Sequence, residues 1–180
     1  QRPLHDLRPL ATHQAPAELQ PWLSTVNGLL ARIAGLVDSE RAFAAGATQV
    51  MTYYGKPVGT DWDEVGFAFN APVVRDILRR GLGFNGIVVT DWNLLESEQF
   101  LDLEFGPNGW GLEHLTPLER ARIAIEVGVD QFGGDRNPAL VEELVESGVI
   151  TRDRIDQSVR RILKEKFQLG VFENRHVDVD

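Results

Sequence analysis

The sequence contains no cysteine. Disulfides, thiolate nucleophiles and cysteine-bound metal centres are therefore excluded, while the compartment stays open. Positive charge is scarce: 18 Lys and Arg stand against 27 Asp and Glu, for a net charge of -9 and a pI near 4.9. Nucleic-acid binding, which relies on a basic stripe, is not expected. No apolar run approaches the roughly 18 residues of a membrane span, so no membrane partner is expected either. His5, His13, His114 and His176 are scattered, and none forms a ligand spacing such as H-E-x-x-H; no metal and no cofactor is expected. Internal repeats and low-complexity tracts are also missing. The first residue is Gln1, with neither an initiator Met nor a signal segment, which suggests a processed chain or a piece of a longer one.

What is present fits one domain with a real core: 180 residues, 43% hydrophobic and 25% charged. Residues 1–16 carry Pro3, Pro9 and Pro16 and read as an irregular lead-in. From 17 to 37 the apolar positions Leu19, Trp22, Leu23, Val26, Leu29, Leu30, Ile33 and Val37 recur at three and four, an amphipathic helix. Ala47 to Tyr54 reads as a strand, and a long loop follows through Phe69. Asn70 caps a helix that runs to Leu82, with Val73, Val74, Ile77 and Leu78 inward and Arg75, Arg79 and Arg80 outward. After the next strand, residues 93–116 form a loop rich in acidic and aromatic residues, long enough to suggest function. Thr116-Pro117-Leu118-Glu119 is a capping box for a helix to Val127. A strand over 128–132 and a helix capped by Asn137 follow. The last helix starts at Thr151, faces inward through Ile155, Val159, Ile162, Leu163 and Phe167, and ends at Gly170. The tail from Val171 is extended.

The centre of the pattern is Gly83-Phe84-Asn85-Gly86-Ile87-Val88-Val89-Thr90-Asp91-Trp92. A continuous β-branched run reads as a buried parallel strand, and strands alternating with helices imply an α/β fold built from parallel βα units. The carboxyl ends of such strands carry ligands and catalytic groups. Tyr53 and Tyr54, Asp91 and Trp92, and Gln131 would then share one face. Asp91 can also be read as a plain helix cap or turn residue. Three strands are few for this length, so their open edges need covering; the pattern suggests part of a sheet or barrel. The spacing Gly81-x-Gly83-x-x-Gly86 does not mark a nucleotide site, because it precedes the strand rather than following it.

These residues also resemble a known family. Val50-Met51-Thr52-Tyr53-Tyr54, the run Leu78 to Trp92, Ala124 to Asp130, Arg154 to Leu163 and Lys166 to Glu173 are similar, in order, to the second half of the barrel domain of glycoside hydrolase family 3, the β-glucosidase and β-xylosidase group. The resemblance covers about 43–180 and leaves 1–42 unplaced. It implies a partial (β/α)8 TIM-type barrel with helices outside, and a retaining glycosidase in which Asp91 forms a covalent glycosyl intermediate. A carboxylate on one side of the anomeric carbon and an acid on the other is the arrangement such chemistry needs. Tyr54 corresponds to a strand-end Tyr beside the nucleophile, and Met51 and Trp92 are expected in the sugar pocket. The alternative is a packed aromatic at the barrel rim for Tyr54 and core positions for Met51 and Trp92. Arg79 is expected to pair with neighbouring helices. Asp130 is expected to be a strand-end polar group without a catalytic role.

Trp110-Gly111-Leu112-Glu113-His114-Leu115 and Gln131-Phe132-Gly133-Gly134 resemble features of one bacterial branch, for which a periplasmic or extracellular location is preferred over a cytoplasmic one. The family's Lys-His motif and its sugar-binding Asp and Arg, which belong to the first half-barrel, do not occur here. Among the acids after Asp91, Glu113 is best placed by its context to be the acid/base; a structural loop explains the same residues. The expected partners are a β-glycoside and a complementary half-barrel, second domain or second copy. The alternative is a catalytically incomplete half-barrel that only packs or oligomerises.

Overall fold

The computed structural model describes Ala42, residues 45–100 and residues 103–174, with backbone alone at 98–100 and 103–105. The expected helix over 17–37 lies outside the described residues. The chain divides into two compact units, Gln1–Ala47 and Thr48–Asp180, and the second carries all the elements below. In order these are β1 (Gln49–Met51), a 3-10 turn (Phe67–Phe69), the helix α1 (Pro72–Gly81), β2 (Ile87–Trp92), β3 (Glu98–Phe100), β4 (Leu103–Phe105), α2 (Pro117–Val127), β5 (Gln131–Gly133), α3 (Ala139–Glu146) and α4 (Arg152–Gln168).

The main sheet has the order β1-β2-β5, and both pairings are parallel. β2 is central and its apolar run is buried, with Val88 and Thr90 fully enclosed and Ile87 nearly so. The architecture is α/β, with the parallel βα connectivity of a (β/α)8 barrel. Gly86 has a specific reason to be glycine. Its Cβ would collide with the carbonyl oxygen of Thr48, which accepts the Ile87 N–H at 2.9 Å and starts the β1–β2 pairing.

Several boundaries differ from the sequence reading. The first strand is three residues long, so Tyr53 and Tyr54 lie beyond it. The loop after Asp91 is not structureless: β3 and β4 pair antiparallel within it, with Glu98 opposite Phe105. Gly128 ends α2 rather than starting a strand, with φ +121 and its N–H on the Ala124 and Ile125 carbonyls. The last strand therefore runs from Gln131 to Gly133, with Gln131 opposite Val89 and Gly133 opposite Trp92. Gln131 is thus at the entry of its strand, not at its carboxyl end.

Capping follows local chemistry. Thr116 and Glu119 form the reciprocal box, and Thr151 accepts from the Arg154 N–H. Asn70 Oδ1 accepts from the Val73 N–H at 3.2 Å. Asn137 does not cap α3; its amide reaches Glu96 Oε1 at 3.2 Å. α1 is wound in the π manner, with Leu82 N–H donating to the Ile77 carbonyl. On α4, Val159, Leu163 and Phe167 are exposed rather than inward, while Ser158 is buried. Beyond Gly170, whose φ is +67, residues 171–174 turn instead of extending, with Asn174 N–H on the Gly170 carbonyl.

The strongest polar knot is at the opposite end of β2 from Asp91. The Asp130 side chain is fully buried, and the guanidinium groups of Arg79, Arg154 and Arg161 converge on it. Its Oδ1 accepts from Ser158 Oγ at 2.7 Å and from Arg161 Nη1 at 2.8 Å. Its Oδ2 accepts from Arg79 and from the Val88 N–H. Arg79 is therefore not outward, nor is it paired with helices: it also donates to the carbonyls of Phe84, Gly86 and Gly128. The sequence reading missed this because a 3.6-residue count around α1 takes no account of the long reach of an arginine. Removing one member of a buried ion network strands the remaining charges, typically at about 3–5 kcal/mol. Asp130→Ala is expected to lower the unfolding free energy by about that much in urea denaturation; a loss below about 1 kcal/mol would show the knot to be dispensable.

Candidate active site

The carboxyl end of β2 is built from three consecutive side chains with different environments. Thr90 is fully buried, and its Oγ1 accepts from the Gly133 N–H at 2.8 Å, pinning β2 to β5. Asp91 is half-buried, and its Oδ1 accepts from the Trp92 N–H at 2.8 Å. Trp92 is 54% exposed. Its indole lies over Gly133 and Gly134, whose absent side chains leave the room: a Cβ on Gly133 would meet the Thr90 carbonyl, and one on Gly134 the indole itself.

Tyr54, from the loop after β1, joins this end. Its hydroxyl donates to the Trp92 carbonyl at 2.8 Å and accepts from the Trp92 N–H at 3.0 Å. Asn108 Nδ2 shares the same carbonyl at 3.3 Å. Burial, and after it the adjacent Asp91 carboxylate, push the Tyr54 phenol above its ordinary value, against smaller opposing contributions from the Trp92 backbone and Asn108. The phenol is therefore a protonated donor at neutral pH, standing beside the carboxylate. Met51 ends β1 opposite Val89 and is 54% exposed. The structure thus brings Asp91, Tyr54 and Trp92 together and sets Met51 at the end of the adjoining strand.

Glu113 behaves differently. It is exposed and closes its own turn, with Oε2 accepting from the Gly111 N–H at 2.8 Å. The Gly111 and Glu113 amides hold its carboxyl below the usual carboxylate range, helped by Lys56 and His114. A general acid needs the opposite shift, toward a proton retained near neutral pH.

Three polar residues at this end went unnoticed in the sequence. Asn108 donates to two successive carbonyls just past Asp91, that of Trp92 from its side chain and that of Asn93 from its own N–H at 2.8 Å. Arg120 is only 3% exposed and reaches three carbonyls, those of Leu95, Leu112 and Leu115. Helical periodicity could have found it, since position 120 shares a face with Ala124 and Val127. Asp135 follows Gly133-Gly134 without any periodic signal, and accepts the N–H groups of Leu95 and Glu96. Among the described residues no group of three or more His, Cys, Asp or Glu side chains could hold a metal ion.

Residues 35–164 match the family model described as "Glycosyl hydrolase family 3 N terminal domain". The chain belongs to glycoside hydrolase family 3. Among curated relatives of this family 3 chain, the β-glucosidase C of Emericella nidulans is 49% identical over 79% of the chain and 23% of its own length. A protein of Dickeya chrysanthemi named periplasmic beta-glucosidase/beta-xylosidase is 40% identical over 71% of the chain and 20% of its own length. Among solved structures, the β-glucosidase of Listeria innocua in complex with isofagomine superposes with a TM-score of 0.60 at 26% identity, covering 76% of this chain and 17% of that one. The chain thus spans about a quarter or less of these proteins. Similarity to both fungal and bacterial members does not confine it to a bacterial branch.

The packing of the indole on Gly133-Gly134 gives a direct test. Gly134 has φ +74, so an alanine there meets both backbone strain and the Trp92 ring. Gly134→Ala is expected to destabilise by at least about 1 kcal/mol and to alter the near-UV circular dichroism of the indoles. An unchanged spectrum and unchanged stability would contradict the packing.

Proposed function

We propose that this chain carries the nucleophile of a retaining, β-glucosidase-like glycoside hydrolase and acts within a larger catalytic unit. The observation that carries the reading is the Asp91 carboxylate at the mouth of the central parallel strand, oriented by the Trp92 N–H and flanked by the Tyr54 phenol, in a chain of this family. The names of the relatives, β-glucosidases and a β-glucosidase/β-xylosidase, support a β-linked glycoside as substrate. The word periplasmic in one of those names supports a periplasmic or extracellular setting.

The chemistry divides into two displacements. In the first, an Asp91 oxygen forms a bond to the anomeric carbon as the bond to the leaving oxygen breaks; a general acid protonates that oxygen. In the second, water attacks the same carbon, a base takes its proton, and the Asp91 carboxylate is released. Tyr54, whose one proton goes to the Trp92 carbonyl, holds the backbone beside Asp91, and Trp92 and Met51 offer apolar surface to the sugar ring. Glu113 is assigned to holding its own turn, and the acid to another part of the catalytic unit.

A second reading is favoured by one feature. Among the described residues β1 and β5 have no outer strand partner, as expected for a half-barrel that only packs or oligomerises. Labelling separates the two. Incubating the intact protein with a 2-deoxy-2-fluoro-β-glucosyl fluoride is expected to release fluoride and leave a glycosyl adduct on the Asp91 peptide by mass spectrometry, abolished in Asp91→Ala. An unlabelled peptide rejects the nucleophile assignment. Glu113→Gln is expected to keep kcat on an unactivated β-glucoside within a few-fold. A general acid contributes about 10²–10⁴-fold, so a loss of that size would make Glu113 the acid.

A further inference from the structure

The peptide unit of Leu95, four residues past Asp91, is gripped from both sides. Its N–H and that of Glu96 donate to Asp135 Oδ1 at 3.3 and 3.2 Å. Its carbonyl accepts from Arg120 Nε at 3.1 Å and from Arg120 Nη2. The remaining nitrogen, Nη1, donates to the carbonyls of Leu112, at 3.3 Å, and Leu115. A single buried guanidinium therefore closes the segment from Leu95 to Leu115, which includes the β3–β4 hairpin.

The two gripping side chains come from different elements. Arg120 stands in the first turns of α2 and Asp135 on the exit of β5, the strand that already holds β2 through Thr90 and the Asn93 N–H. Leu95 itself is 1% exposed, so the gripped unit has little freedom to move. A guanidinium with five fixed donors is well suited to hold three carbonyls at once.

We propose that Arg120 and Asp135 are positioning residues for Asp91, fixing the backbone that leaves its strand and thereby the direction of its carboxylate. This rests on the reading of Asp91 as nucleophile. Neither residue touches substrate; each acts through Leu95. Displacing a reacting group by about 1 Å can cost on the order of 10²-fold in rate, so the brace matters for chemistry out of proportion to its distance from it. The second oxygen of Asp135 is buried without a partner. Asparagine can take that place while keeping the accepting oxygen, so Asp135→Asn distinguishes hydrogen-bond acceptance from charge.

The test is the labelling rate of Asp91 in the intact protein by 2-deoxy-2-fluoro-β-glucosyl fluoride. It is read as a maximal rate and a half-saturating concentration, with amide hydrogen exchange at Leu95 and Glu96 alongside. Asp135→Ala and Arg120→Met are expected to lower the maximal rate by roughly 10–100-fold with little change in half-saturation, and to speed exchange at both amides. Asp135→Asn is expected to recover most of the rate. If the wild type labels and folded Asp135→Ala labels at the same maximal rate despite faster exchange, the positioning role is overturned while the nucleophile stands. It is overturned equally if half-saturation alone changes. No labelling of the wild type overturns the nucleophile reading, and this inference with it.

Discussion

The convergence of three arginines on one fully buried carboxylate, Asp130, is the constraint on which the rest of the structure depends. It joins elements far apart in the chain: the end of α1 through Arg79, the entries of β2 and β5 through the Val88 N–H and Asp130 itself, and α4 through Ser158 and Arg161. Burying a carboxylate among guanidinium groups is favourable only when nearly every donor and lone pair is used. Here the surplus guanidinium donors go to backbone carbonyls at Phe84, Gly86, Gly128, Ile125 and Val129. The same contacts that neutralise the charge fix the loops that deliver β2 and β5 to the sheet.

From that base β2 is tied to its neighbours at successive levels. The Asp130 carboxylate holds the Val88 amide, Thr90 receives the Gly133 amide, and Tyr54 clasps both the amide and the carbonyl of Trp92. The ion network lies at the amino end and the proposed nucleophile at the carboxyl end, in keeping with the usual division of a parallel α/β barrel strand. Asp91 gains a fixed backbone while its side chain stays only half-buried. The bonds on Leu95 continue the series past the strand, where a long connection would otherwise begin.

Much of this was legible in the sequence because each signal was local. The Ile87–Trp92 strand, the capping box at Thr116 and the stop at Gly170 all stand where residue chemistry put them. The hairpin within 93–116 was not legible: its strands are three residues each, too short for a period. β5 was displaced because Gly128 can end a helix as readily as open a strand, and the sequence does not say which. Of the site, Asp91, Trp92 and Tyr54 could be named from the strand end and the family resemblance, but the two hydrogen bonds between the Tyr54 hydroxyl and the amide and carbonyl of Trp92 could not. Arg120 was legible only as a buried position, since it shares the inner face of α2 with Ala124 and Val127; its partners and those of Asp135 are backbone groups, which carry no residue code. Glu113 drew notice by its neighbours, yet its amide partners keep it ionised.

The central claim is that Asp91 works as a covalent nucleophile, and product stereochemistry tests it most directly. Proton NMR of the first sugar released from an aryl β-glucoside by the intact protein is predicted to show the β-anomer ahead of mutarotation, the outcome of two displacements at one carbon. An α-anomer appearing first would mean direct attack by water and would contradict the account.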